Sequence, residues 1–163
     1  MYFNEFEKRF LSGELYEADS IKVADSLKFK TKKGRIVYGG GGIIPDVFVS
    51  IEKNHNKEGL ELLLQSDIMS YYAFEKLDEN RAFFSKMNKS ELKKELFKTD
   101  KYFNQFKEYV TSNGLLFNLS DQKEQILTYL YAEFSKQLFN DTSYYQIVLP
   151  GDKMIKKVLE KQK

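Results

Sequence analysis

The hydrophobic period of this chain changes from that of strands to that of helices near residue 56, and that change limits what the chain can fold into. Before it, short runs alternate with a period near two: Leu27-Lys28-Phe29-Lys30-Thr31, Arg35-Ile36-Val37-Tyr38 and Val47-Phe48-Val49-Ser50-Ile51. β-Branched and aromatic residues fill these runs, so each reads as a short strand bounded by turns. Lys32-Lys33-Gly34 supplies a hairpin turn in which the glycine takes positive φ. Ahead of the strands, Phe3, Phe6, Phe10 and Leu11 fall at helical spacing, and Gly13 is placed to end that helix.

Beyond residue 56 the apolar residues recur at helical spacing instead. Leu60, Leu63, Leu64, Ile68, Tyr71, Tyr72 and Phe74 form one long stripe that extends toward Phe84. Ser90 is placed to cap a short helix carrying Leu92, Leu96 and Phe97. Asp100 opens another, with Phe103, Phe106 and Val110 on one face, and Ser112-Asn113-Gly114 ends it. Asp121 and Glu124 have the spacing of a capping box, ahead of a helix that turns Leu127, Leu130, Phe134 and Leu138 inward. Asn140-Asp141 breaks that helix. Pro150-Gly151 separates a last amphipathic piece carrying Met154, Ile155, Val158 and Leu159. The expected fold is mainly α: a helical bundle preceded by a small β element of short strands, α+β overall. Residues 1–56 and 57–163 are its two expected parts.

Composition narrows the functional classes. A hydrophobic fraction of 42% and an aromatic fraction of 15% can offset chain entropy, so a disordered or fibrous protein is excluded. The 26 basic residues against 24 acidic ones leave a formal charge of +2, too balanced for the electrostatic footprint of a nucleic-acid binder. No apolar run approaches a membrane span. Met1-Tyr2-Phe3-Asn4-Glu5 has neither a basic n-region nor an apolar h-region, and no secretory signal is expected there. The absence of cysteine excludes disulfides, thiolate zinc sites and cysteine nucleophiles. The single histidine, His55, lies in the polar stretch Glu52 to Lys57 and reads as an exposed connector residue rather than a ligand or base.

The motifs that could carry chemistry fail on detail. Gly39-Gly40-Gly41-Gly42 suggests a phosphate loop, but no Lys-Ser or Lys-Thr follows, and Ile43-Ile44-Pro45 is a poor helix start. The dinucleotide fingerprint would need a glycine where Ile44 stands. The run reads instead as a tight loop where backbones approach too closely for a Cβ, with several of its glycines at positive φ and Pro45 fixing the exit toward Val47. None of the twelve serines sits in a Gly-x-Ser-x-Gly elbow. Ser12 and Ser20 read as turn and cap residues. The pairs Asp78-Glu79 and Glu91 with Glu95 read as solvated helix faces rather than a catalytic dyad. The many lysines single out no catalytic one, and the Phe and Tyr stripes read as core rather than stacking platforms. No catalytic, cofactor-binding or metal-binding residue is assigned.

One segment resembles a known family. The stretch Thr31-Lys32-Lys33-Gly34-Arg35, continued by Gly41-Gly42-Ile43-Ile44-Pro45-Asp46-Val47-Phe48-Val49, closely resembles the Thr-x-x-Gly-Arg … Gly-Gly-Ile-x-Pro-Asp-x-x-Val segment of the C-terminal processing (tail-specific) serine peptidases. Phe10 to Lys22 looks like an insertion of the Bacteroidetes-type members. Ser70-Tyr71-Tyr72-Ala73-Phe74 and Leu138 to Tyr145 are similar to that group's helical C-terminal extension. Thr31, Gly34, Arg35, Gly42, Pro45 and Asp46 are the motif positions, and the resemblance gives them a structural role at a sheet edge beside the active site.

The resemblance implies a Ser/Lys dyad, a PDZ domain that gathers substrate tails, and a bacterial periplasmic or envelope location. In the family the lysine serves as general base for the serine, and both precede the Thr-x-x-Gly-Arg segment. No dyad residue is therefore expected in this chain. Three readings follow. The favoured one is the non-catalytic C-terminal region of such a peptidase, with the upstream protease and PDZ domains and tailed protein substrates as partners. The second is an independent helical module for protein interaction or oligomerisation. The third, a separate small enzyme, needs a constellation the sequence lacks. Without neighbouring protease strands, the segments from Leu27 to Ile51 are expected either to rearrange or to pair with a second copy as a dimer.

Overall fold

Gly34 adopts φ +82°, the left-handed conformation that the Lys32-Lys33-Gly34 turn requires. The computed structural model describes residues 7–8, 10–13, 16–17, 25–39, 47–50 and 58–161. Around that turn, β1 (Lys28–Lys30) pairs antiparallel with β2 (Ile36–Tyr38), with Phe29 opposite Val37. Thr31 and Arg35 close the loop: the Thr31 N–H donates to the Arg35 carbonyl at 2.8 Å, and the Arg35 N–H donates to Thr31 Oγ1 at 3.1 Å. Val47 to Ser50 form no strand; Val47 lies in a bend and the next three residues are irregular. Alternation alone gave this run no partner among the described residues, and a strand exists only through its ladder. Residues 7, 8, 10 and 11 are helical, and Gly13 at φ +85° ends the turn, as its position required. Phe3, Phe6, Ile51 and His55 lie outside the described residues.

The chain divides into two compact units, Met1–Lys53 and Asn54–Lys163. The second unit is the helical bundle. Its helices are α1 (Glu58–Gln65), α2 (Ile68–Glu79), α3 (Arg81–Phe84), α4 (Lys89–Phe97), α5 (Lys101–Ser112), α6 (Lys123–Leu138), α7 (Asp141–Val148) and α8 (Lys153–Lys161). The long α6 is the axis, packed against α2, α4, α5 and α7. The fold is mainly α with a small two-stranded β element.

Phe134 of α6 is fully buried, and three rings from three other helices surround it. Its ring centroid lies 5.5 Å from Phe84 and 6.4 Å from both Tyr72 and Tyr102. Tyr72 in turn meets Phe106 edge-on at 5.2 Å. Such tilted and edge-to-face contacts add about 0.5–1.5 kcal/mol per pair beyond burial itself. Leu127 and Leu130 are buried beside Phe134, and Leu138 packs at the margin of the core. Besides α7, α6 packs chiefly on α2.

Several boundaries differ from the sequence expectation. The stripe from Leu60 to Phe84 is broken at Ser66-Asp67, where the Ser66 hydroxyl takes the Leu63 carbonyl at 3.0 Å and competes with the helix ladder. Past the break the buried face is Met69, Tyr72, Ala73 and Leu77, while Tyr71 and Phe74 are 62% and 54% exposed. Asn88, not Ser90, caps α4: its side chain accepts from the Ser90 and Glu91 N–H groups, and Glu91 Oε2 accepts from the Asn88 N–H at 2.9 Å. Asp121 forms no capping box, because burial of Leu119 draws Ser120–Gln122 into a 3-10 turn and α6 begins after Gln122. Asn140 caps α7 by accepting from the Ser143 N–H at 3.0 Å. Gly114, at φ +80°, stops α5 where expected.

Two consequences can be measured. Replacing Phe134 by Ala should lower unfolding free energy by about 3–5 kcal/mol in urea titrations, since three rings lose their common partner. Burial raises the phenol pKa of Tyr72 and of Tyr102, the latter helped by its Glu95 neighbour. A phenol held protonated in the fold and ionising near pH 10 once unfolded makes stability fall as pH rises above about 10. Tyrosinate absorbance should therefore show a cooperative step coincident with loss of helical circular dichroism in alkali.

Candidate functional site

Three of the six motif positions fold together. Thr31, Gly34 and Arg35 form the β-turn between β1 and β2, where the Gly34 N–H donates to the Thr31 carbonyl at 2.9 Å. Arg35 also has an interaction within the fold. Gly42, Pro45 and Asp46 lie outside the described residues, as do Gly40 and Gly41. Gly39 is described and is not at positive φ, and the expectation for the rest of the glycine run falls on residues outside those described. Its glycine identity has a steric cause instead. A Cβ at Gly39 would lie 2.9 Å from Phe29 Cε2, closer than two such carbons can approach. All six strand residues are exposed, with Phe29, Ile36, Val37 and Tyr38 offering apolar surface.

The bundle carries a polar cluster that sequence reading did not single out. Ser70 of α2 meets Glu133 and Gln137 of α6. Gln137 Nε2 donates to the Ser70 carbonyl at 2.9 Å, and Ser70 lies close enough to the Glu133 carboxyl to favour its charged form. Burial raises the Glu133 pKa above the usual carboxylate range, against the pull of Lys136 and Ser70. Its Oε2 is buried with no hydrogen-bond partner. Beside the cluster, Asp67, Tyr71, Phe74 and Glu75 line an open cavity of about 680 Å³ with Ser70 and Gln137. Ser70 and Gln137 are 67 residues apart in sequence, so no local spacing announces them.

The cluster is a polar seam that joins α2 to α6. A serine nucleophile needs a base that takes its proton while a second group holds that base in place. Glu133 Oε2 has no hydrogen-bond partner that would hold it in place as such a base. The suspected surface pairs have structural uses as well. Asp78 faces Arg81 at 3.5 Å, Glu79 holds Lys76 at 2.8 Å, Glu91 completes the α4 cap, and Glu95 accepts from the Tyr102 hydroxyl at 3.1 Å. No group of three or more His, Asp or Glu that could hold a metal ion occurs among the described residues, and none of their helices is long and apolar enough to cross a membrane.

Residues 60–140 match a family of unknown function, DUF8443. The match runs from α1 to the cap of α7 and takes in the whole aromatic centre around Phe134. No curated protein and no solved structure matches the chain.

The buried carboxyl gives a pH prediction. Ionised Glu133 costs stability above its raised pKa, and protonation removes that cost as pH falls through the carboxylate range. Glu133→Gln should therefore melt at higher temperature than the parent chain at neutral pH. The difference should shrink toward about pH 4 in a series of thermal melts.

Proposed function

We propose that this chain is the non-catalytic C-terminal region of a tail-specific serine endopeptidase of the bacterial periplasm or envelope. In this reading the Ser/Lys dyad and the PDZ domain belong to the same parent chain, upstream of Thr31. Residues 1–56 are the end of the peptidase domain, and 57–163 are a helical extension packed on it or regulating it. The substrates are proteins presented by their free C-terminal tails.

One observation carries the reading: Thr31, Gly34 and Arg35, the first half of the motif, make a tight hairpin whose two strands leave every residue exposed. Among the described residues the hairpin has no third strand, and a two-stranded hairpin is marginal in water, which supports a larger sheet for it to join. Phe29 and Val37, directly opposite each other, present an apolar surface suited to such a neighbour.

The test is turnover. Incubated alone, the purified chain should leave an unfolded reporter with a free C-terminal tail intact. Produced together with the coding region ahead of it, the protein should cleave that reporter, using a serine and a lysine outside this chain. Cleavage by the chain alone, lost on replacing one of its own serines, overturns the proposal. A reading frame with no peptidase domain ahead of the hairpin overturns it equally.

A further inference from the structure

Helix α8 is built like a docking element. Asp152 Oδ1 caps it, accepting from the Met154 N–H at 2.7 Å and the Ile155 N–H at 3.0 Å, so the helix has its own start signal. Met154, Ile155, Val158 and Leu159 fall on one side, and Met154, Val158 and Leu159 are 50%, 54% and 55% exposed. Lys157 and Lys161 border that stripe on the Met154 side and Lys156 on the Leu159 side. Most of the apolar side is thus half-exposed among the described residues, and its flanks are basic.

The same unit carries a groove of matching chemistry. It encloses about 710 Å³ between α1, α6 and α7, and it ends at the turn Leu149–Asp152. Leu60, Leu64, Tyr129 and Ile147 give it an apolar lining, while Glu61 and Glu124 stand along it as carboxylates. An apolar stripe flanked by lysines fits an apolar trough edged with glutamates. The groove's own α8 leaves its stripe exposed, so the helix that fits must come from elsewhere.

We infer that α8 of one copy of this chain docks in the α1–α6–α7 groove of a second copy, each copy giving one helix and receiving one. Reciprocal exchange doubles the area that a nine-residue helix can bury, moving it toward the ~1,200 Å² that stable interfaces require. Lysine and glutamate set the orientation, and Met154, Val158 and Leu159 supply the apolar contact. The inference is independent of the peptidase reading, since both the helix and the groove belong to the helical unit.

Sedimentation equilibrium of the chain should give twice the monomer mass at high micromolar concentration. Val158→Asp with Leu159→Asp should yield a monomer with unchanged circular dichroism, because both side chains are already half-exposed. A charge-swap pair keeps the test sharp even if those aspartates perturb the helix. Glu61→Lys with Glu124→Lys in one preparation, and Lys156→Glu with Lys161→Glu in another, should each be monomeric, yet form a one-to-one dimer when mixed. A monomeric parent chain overturns the inference. So does a dimer that survives the Val158/Leu159 change, which would place the contact on the strand edges. Failure of the charge-swapped chains to associate on mixing also overturns it, as does binding of α8 to anionic vesicles without self-association.

Discussion

Everything in the helical unit is arranged around the need to bury Phe134. One ring at the middle of α6 takes its neighbours from α2, α3 and α5, which start 66, 53 and 33 residues before it in sequence. Aromatic rings are large and rigid, so a cluster of four fills the centre at few relative angles. The short α3, four residues long, makes sense in that light: it has too few hydrogen bonds to persist alone, and Phe84 anchors it to the cluster.

Polar groups then settle details that apolar packing leaves open. The Tyr72 hydroxyl donates to the Tyr102 carbonyl, and Tyr102 donates to Glu95, joining α2, α5 and α4 in one chain of hydrogen bonds. Tyr131 donates to the Lys89 carbonyl, tying α6 to the start of α4. Each of these phenols has a buried ring and a satisfied tip, the condition under which tyrosine strengthens a core. Glu133 is the exception. Its buried, unpartnered Oε2 costs stability, and Ser70 with Lys136 offsets only part of that cost.

Two exposed apolar surfaces among the described residues lie in different units and have different character. The hairpin presents apolar side chains and a ladder edge, the features by which sheets recruit further strands. Helix α8 presents an apolar stripe bordered by lysines, the features by which a helix enters a groove. The first surface bears on the peptidase proposal and the second on self-association, so each can stand or fall separately. Neither depends on a catalytic group within the chain.

Local chemistry made much of this structure legible in the sequence. The change of hydrophobic period near residue 56 separated the strands from the helices of the bundle. Gly13, Gly34 and Gly114 each mark a residue in the left-handed region, because only glycine reaches it without a Cβ clash. Phe103, Phe106, Val110, Leu127, Leu130 and Phe134 point inward as their spacing required. The tertiary structure decided what spacing cannot encode. It chose between Tyr72, which is buried, and its neighbour Tyr71, which is exposed, because the partner rings arrive from distant helices. It moved the start of α6 past Asp121 once Leu119 was buried, and it left Val47 to Ser50 out of the ladder for want of a partner strand. It also assembled Ser70, Glu133 and Gln137, whose separation in sequence hides them from any local pattern. Caps, turns and period depend on residues a few positions apart. Burial and clusters depend on which faces meet, and only the folded chain brings those faces together.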